Sequence, residues 1–179
     1  MKKDKITFDY EKLLPLDIVH CAGRSPLAFV TRIVTAGFKN KRNYGISVHT
    51  GILVDFHGQL LVSEMQAKGL EINSLERYSK VGGRRWVINI TRPPINELDR
   101  IIIQKEIAID RRRTIEYDYK GLLEFVFKKV KDNKNKNYCS EYVHKLTEDY
   151  IEYPESFKVK VSPLELQTFK VFKPVDWRK

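Results

Sequence analysis

The chain has 179 residues, 42% hydrophobic and 31% charged, and a formal net charge of +10 from 33 Lys and Arg against 23 Asp and Glu. That length and balance suit one soluble domain over residues 1–179. They exclude a membrane span, because no stretch reaches roughly 18 apolar residues, and a disulfide-built scaffold, because Cys21 and Cys139 are the only cysteines.

The first residues, Met1-Lys2-Lys3-Asp4-Lys5-Ile6, carry positive charge with no apolar run behind it, so no secretory signal and a cytoplasmic location are expected. A single Cys21–Cys139 bridge stays open, with two free thiols the expectation in a reducing compartment. The basic surface suits nucleic acid, anionic lipid or an acidic polymer, and charge does not choose among them.

In chain order, Leu16 to Cys21 reads as a short strand. Pro26 to Gly37 reads as a helix, with Leu27, Val30, Ile33 and Val34 at helical spacing. Ile46 to Val54 and Gln59 to Met65 read as strands from β-branched content and alternation, with Asp55-Phe56-His57-Gly58 as the turn. Arg85 to Thr91 is a further strand, stopped by Pro93-Pro94. Asn96 to Arg113 reads as a helix with Leu98, Ile101, Ile102 and Ile109 as its apolar positions. Gly121 to Val130 is expected to be helical, Lys128 to Asn137 a polar loop, and Tyr138 to Tyr150 a third late helix. Val159 to Val161 and Phe169 to Phe172 are expected as late strands. Strands in the middle with helices after them give an α+β fold, a central antiparallel sheet packed against helices.

Two places carry candidate chemistry. Across a four-residue turn, Val54 would pair with Gln59, and His49 would lie directly opposite Glu64. A two-residue turn at His57-Gly58 would make the pair diagonal on the same face. A carboxylate beside an imidazole fixes its tautomer and stabilises the imidazolium, as a catalytic base requires. Cys139 opens a helix and shares an inward stripe with Tyr142, Val143, Leu146 and Tyr150. Free N–H groups and the dipole of a helix N-terminus lower a thiol pKa and can receive an oxyanion. His20 and Cys21 are neighbours on a strand and point to opposite faces. His57 lies in a turn, and His144 faces away from Cys139. No His/Cys set has zinc spacing.

Taken together, Asp17-Ile18-Val19, His49 to Val54 (His-Thr-Gly-Ile-Leu-Val), Glu64 on the returning strand, Tyr117-Asp118-Tyr119 and Tyr138 to Val143 (Tyr-Cys-Ser-Glu-Tyr-Val) resemble the YiiX-like group of permuted papain-like enzymes. This group is related to the NlpC-type cell-wall peptidases and the lecithin retinol acyltransferase family. The resemblance runs from about Leu16 to Leu166, and Ser162-Pro163-Leu164 matches the Ser/Thr-Pro segment after the Cys helix. It departs from the family at Leu16, where Gly usually precedes the Asp, and at Thr114-Ile115-Glu116, where a Gly usually precedes the Tyr-Asp pair.

The resemblance implies a permuted papain-like core and a cysteine peptidase or amidase-type hydrolase. Cys139 would be the nucleophile, His49 the base and Glu64 the group that orients His49. It implies no metal and no cofactor. Its relatives point to a peptidoglycan-like peptide or a lipid or acyl substrate, and leave open whether the bond is an amide or an ester. Two alternatives stand beside it. One is a nucleic-acid-binding module built on Arg84-Arg85, Arg111 to Arg113 and the Lys128–Lys136 run. The other is a catalytically silent papain-like scaffold. No specific nucleic-acid partner is expected on the hydrolase reading.

Overall fold

The computed structural model describes residues 4–40, 42–66, 68–113, 116–117, 136–159 and 161–179. Its strands are β1 (Ile18–Gly23), β2 (His49–Phe56), β3 (Gln59–Gln66), β4 (Gly69–Ser74), β5 (Arg85–Arg92), β6 (Glu116–Tyr117), β7 (Lys136–Asn137) and β8 (Lys173–Pro174). Its helices are α1 (Pro26–Ala36), α2 (Glu97–Asp110), α3 (Cys139–Thr147), α4 (Glu155–Val159) and α5 (Pro163–Thr168). Six strands make one antiparallel sheet in the order β4-β3-β2-β1-β5-β8, and β6 and β7 form a short parallel pair. The α+β class and the central antiparallel sheet read from the sequence are both present. The expected helix Gly121–Val130 and residues 128–135 of the expected loop lie outside the described residues.

Alternation divides the sheet between two buried faces. Ile18, Ile52, Val54 and Met65 pack with Ile103 and Ile107 of α2 and with Tyr142, Val143 and Leu146 of α3. Val19, Cys21, Leu53, Val62 and Ile90 face the other way, against Ile6, Phe8, Leu75, Tyr78 and Trp177. Burying each such side chain is worth about 1.5–3 kcal/mol. Covering both faces explains the consecutive buried apolar residues Ile18-Val19 in β1 and Ile52-Leu53-Val54 in β2.

The β2–β3 turn corrects the four-residue expectation. Phe56 pairs with Gln59, so only His57 and Gly58 form the loop, at φ 55° and 79°. Positive φ at both positions is the two-residue hairpin geometry whose twist matches the flanking strands. Asp55 Oδ1 accepts the Gly58 N–H at 2.7 Å and helps close it. The register runs from Phe56–Gln59 to Ile52–Ser63. One step further places Gly51 opposite Glu64, so His49 is diagonal to Glu64 on the same face.

Two helices bury a different face from the one expected: α1 buries Ala28, Thr31 and Arg32 and leaves Leu27 and Val30 exposed, with Ile33 and Val34 half-buried. α2 is capped by Asn96, whose Oδ1 accepts from the Asp99 N–H at 2.9 Å, and it ends at Asp110 rather than Arg113. It buries Ile103 and Ile107, while Leu98, Ile101, Ile102 and Ile109 are exposed. The Arg100 guanidinium donates to the carbonyls of Pro15, Pro93 and Ile95. This clamp fixes the helix rotation, and it turns positions 100, 103 and 107 inward.

Later in the chain, Val159 ends the short helix α4 instead of starting a strand. Phe157 stacks on Tyr153 at 5.5 Å and meets Phe169 at 5.3 Å. Phe169 to Phe172 form a turn closed by Phe172 N–H to the Phe169 carbonyl at 3.0 Å, and the strand follows at Lys173. Both corrections have one cause, an aromatic cluster that the two phenylalanines join from a turn. Leu16, where the resembling family usually has Gly, adopts φ 68° while fully buried. That left-handed conformation favours glycine.

Candidate active site

Cys139 is the first residue of α3, and Tyr138 before it is extended and buried. Glu141 Oε2 accepts the Tyr138 N–H at 3.4 Å. Ser140 Oγ donates to the Val161 carbonyl at 2.7 Å and fastens the start of α3 to the segment leading into α5. That segment is the Ser162-Pro163 pair. Ser162 Oγ accepts from the Glu165 N–H at 3.1 Å, and Glu165 Oε2 accepts from the Ser162 N–H at 2.6 Å. Cys139, Tyr142, Val143 and Leu146 are buried as the helical spacing expected, and Tyr150 packs at their edge. The first-turn N–H groups of α3, beginning with that of Cys139, have no acceptor within the helix.

His49 is the first residue of β2 and pairs with Cys21 of β1, while the ladder with β3 begins only at Ile52. The splay between β2 and β3 leaves the Thr50 N–H outside the β3 ladder, where it helps lower the Cys139 thiol pKa. The His49 ring lies beside Cys139, and each group shifts the other's ionisation. His49 Nε2 is held by Glu64 Oε2, which leaves Nδ1 as the nitrogen for the thiol. Gly51 makes this close approach possible. A Cβ there would lie 2.5 Å from Val62 Cγ1 and 3.3 Å from Glu64 Cβ.

Glu64 is the most heavily bonded carboxylate of the site. Its Oε1 accepts from the Tyr78 hydroxyl, from Gln66 Nε2 at 2.5 Å and from Asn73 Nδ2 at 2.9 Å. Its Oε2 accepts from His49 and from Arg85 at 3.3 Å. Burial alone would push its pKa up. The His49 charge and hydrogen bond, the Tyr78 hydroxyl and Arg85 outweigh burial and bring it down to about 2. Glu64 is therefore an anion that Tyr78, Gln66 and Asn73 keep aimed at His49.

Charge then divides along the relay. Burial pushes the Cys139 thiol up, but the His49 charge and hydrogen bond, the Thr50 N–H and Arg85 bring it below its ordinary value. Burial and Arg85 push His49 down, while Cys139 and Glu64 hold it above its ordinary value. A thiolate facing an imidazolium is the form these opposed directions favour.

The structure thus brings Cys139, His49 and Glu64 together. It keeps the remaining histidines apart from the thiol. His20 is held by Thr91 Oγ1 at 2.8 Å; His57 is in the hairpin turn; His144 packs on Tyr153 and Phe157. Both cysteines are free, so the bridge left open by sequence is not formed. Sequence reasoning missed Tyr78, Asn73 and Arg85. For Gln66 a signal existed, since it lies two residues beyond Glu64 on the same face of β3.

A cleft of about 320 Å³ opens onto the dyad, lined by Cys139, His49, Gln66, Arg84, Arg85 and the first turn of α1. α1 starts with Ser25 Oγ accepting the Ala28 N–H at 3.1 Å and with Pro26 at its first position. Arg32 of α1 donates to the Gly23 carbonyl at 2.7 Å, which fixes this wall over the end of β1. Among the described residues no helix is long and apolar enough to cross a membrane.

No family model matches the chain, and no curated protein matches its sequence. A solved structure, the metalloprotein yiiX from Escherichia coli O157:H7, is similar in fold. The TM-score is 0.57 at 17% identity, over 78% of this chain and 67% of that one. The chain therefore has a YiiX-like α+β fold.

Proposed function

We propose that the protein is a cysteine hydrolase with a permuted papain-like core, in which the histidine strand β2 precedes the cysteine helix α3. The observation that carries this reading is the meeting of Cys139 with a His49 ring that Glu64 holds by a hydrogen bond, both lining an open cleft.

The chemistry follows from the groups present. The Cys139 thiolate attacks an acyl carbonyl, and the oxyanion forms beside the free N–H groups at the start of α3. His49 gives its proton to the departing amine or alcohol, leaving a thioester on Cys139. Neutral His49 then takes a proton from water as water attacks the thioester. The thiolate leaves as the acid is released, and the proton taken from water stays on His49, which restores the imidazolium beside the thiolate. Glu64 keeps its charge throughout and holds the ring in place.

The substrate is an amide or ester, and the basic chain suits anionic wall polymers or lipid surfaces. The yiiX neighbour is described as a metalloprotein. Here, among the described residues, no group of three His, Cys, Asp or Glu side chains is arranged to hold a metal ion, so no step is routed through one.

Alkylation by iodoacetamide from pH 5 to 9, with the labelled cysteine mapped by mass spectrometry, tests the reading. Cys139 is expected to label well below the ordinary thiol pKa of about 8.5, and His49→Ala is expected to remove that acid-side reactivity. Labelling no faster than a free thiol, or no effect of His49→Ala, rejects the dyad.

A further inference from the structure

The catalytic cleft continues past Gln66, Arg84 and Arg85 into a second hollow of about 240 Å³, which the relay does not use. Arg77 and Lys80 line its far side, so four of its lining residues are cations and none is acidic. Arg85 is already paired with Glu64 at 3.3 Å, and Arg77 with Glu71 at 3.8 Å. Lys80 and Arg84 are both exposed and have no carboxylate partner among the described residues.

The turn that carries these two cations is braced at several points. Gly83 N–H bonds the Lys80 carbonyl at 3.0 Å, Val81 N–H bonds the Asp4 carbonyl at 3.2 Å, and Arg24 N–H bonds the Arg84 carbonyl at 3.1 Å. Gly82 sits at φ 71°, and the Arg24 guanidinium lies 3.4 Å from where its Cβ would be. Arg24 is itself held over the rings of Tyr44 and Trp86 at 5.3 and 5.8 Å. Unneutralised cations on a braced wall focus a positive potential into the hollow, and guanidinium groups match carboxylate and phosphate geometry.

We propose that this hollow is a subsite for an anionic group, a carboxylate or a phosphate, carried by the acyl substrate whose carbonyl lies at Cys139. The proposal rests on the hydrolase reading for its substrate, but the anion site can be tested without turnover. Two unpaired cations, Arg84 on the rim shared with the nucleophile and Lys80 deeper in the hollow, select substrates bearing a negative charge beside the scissile bond. The shared residues, Gln66 and Arg84-Arg85, set how far that charge stands from the carbonyl.

The test has two arms. In the first, inorganic phosphate and glutarate are titrated separately into the wild-type protein while backbone amide shifts are followed. Saturable shifts at Gly83, Arg84 and Arg85 are expected, weakened about threefold by Lys80→Gln and by Arg84→Gln, the scale of exposed ion pairs. Arg112→Gln, an equal loss of charge at the end of α2, is expected to change nothing. Whichever anion saturates first identifies the group the hollow takes. In the second arm, kcat/KM is compared for p-nitrophenyl butyrate and mono-p-nitrophenyl glutarate. The charged ester is expected to be favoured, with the ratio falling about threefold in Lys80→Gln and in Arg84→Gln.

Absence of saturable shifts, or equal weakening by Arg112→Gln, overturns the subsite. Saturable shifts with no preference for the charged ester overturn its role in substrate selection. If neither ester is hydrolysed and Cys139 is unreactive, the hydrolase reading fails, and the first arm still decides the anion site.

Discussion

The molecule contains two buried pairings of cysteine and histidine types that meet opposite fates. Cys21 sits among Val19, Leu53, Val62 and Val87, and burial pushes its thiol far up despite the neighbouring Arg85. His20, on the other face, is pushed down to about 3 by burial, with Thr91 Oγ1 at Nε2 and no partner at Nδ1 among the described residues. Cys139 and His49 are equally buried, yet the thiol moves down and the imidazole up. Burial disfavours charge in both regions. Only the second supplies an opposite charge to both groups: the imidazolium and Arg85 beside the thiol, and the thiolate and an anchored Glu64 beside the ring. Residue type makes a candidate, and the partners decide whether it can ionise.

The sharpest break of this comparison exchanges the two thiols one at a time. Cys139→Ala is expected to lower p-nitrophenyl butyrate hydrolysis about a thousandfold or more, as removal of a nucleophile does. Cys21→Ala is expected to leave kcat/KM within about threefold while costing roughly 1 kcal/mol in urea unfolding, the scale of a small truncation in a core. Comparable losses from both would mean that the sulfurs act as packing.

Removing the anchor should give the next largest effect. Glu64→Gln keeps the shape but takes away the charge that holds His49, and kcat is expected to fall about 10²- to 10⁴-fold. The same variant reports on stability. A carboxyl held at about 2 against an ordinary 4.5 stabilises the fold at pH values above 4.5, and that contribution is lost as pH falls toward 2. It amounts to about 3 kcal/mol. Urea unfolding at pH 6 and pH 3 should therefore show a smaller difference in Glu64→Gln than in the wild type. An unchanged difference would mean that Glu64 is not anchored as an anion.

Much of this arrangement was legible because it depends on parity and periodicity. His49 and Glu64 share a face for any even turn length, so their pairing survived the wrong turn at Asp55 to Gly58. Cys139 was legible as inward because Tyr142, Val143 and Leu146 repeat at helical spacing. What was not legible depends on contacts between distant segments. Tyr78 and Arg85 reach Glu64 from 14 and 21 residues away. The placement of Cys21 against His49 is fixed by the β1–β2 register. The face α2 buries is chosen by three carbonyls gripping Arg100, and four apolar residues at helical spacing gave the wrong one.

Gly51 tests the same geometry through the backbone. In Gly51→Ala a methyl must fit where Val62 Cγ1 is 2.5 Å away, and overpacking of this kind costs about 1–3 kcal/mol. The strain falls between His49 and Glu64, so acid-side labelling of Cys139 should weaken along with thermal stability. A variant that is destabilised but keeps full acid-side labelling would show that the relay does not need the close approach of β2 to β3.

The smallest catalytic effect is expected from the other pair. His20→Gln keeps a nitrogen near the Thr91 hydroxyl and removes a group that the fold holds neutral. Because the folded pKa is about 3 and the ordinary value 6.5, His20 gives full stability above pH 6.5, and that contribution is lost as pH falls toward 3. This window opens two pH units above that of Glu64, so the two contributions separate in an acid titration. The variant should unfold at lower pH than the wild type, with the gain appearing between pH 6 and 4, while ester hydrolysis at pH 7 stays within about twofold. Loss of hydrolysis in His20→Gln without loss of stability would move the catalytic histidine to the opposite face of the sheet, and the contrast between the two pairs would collapse.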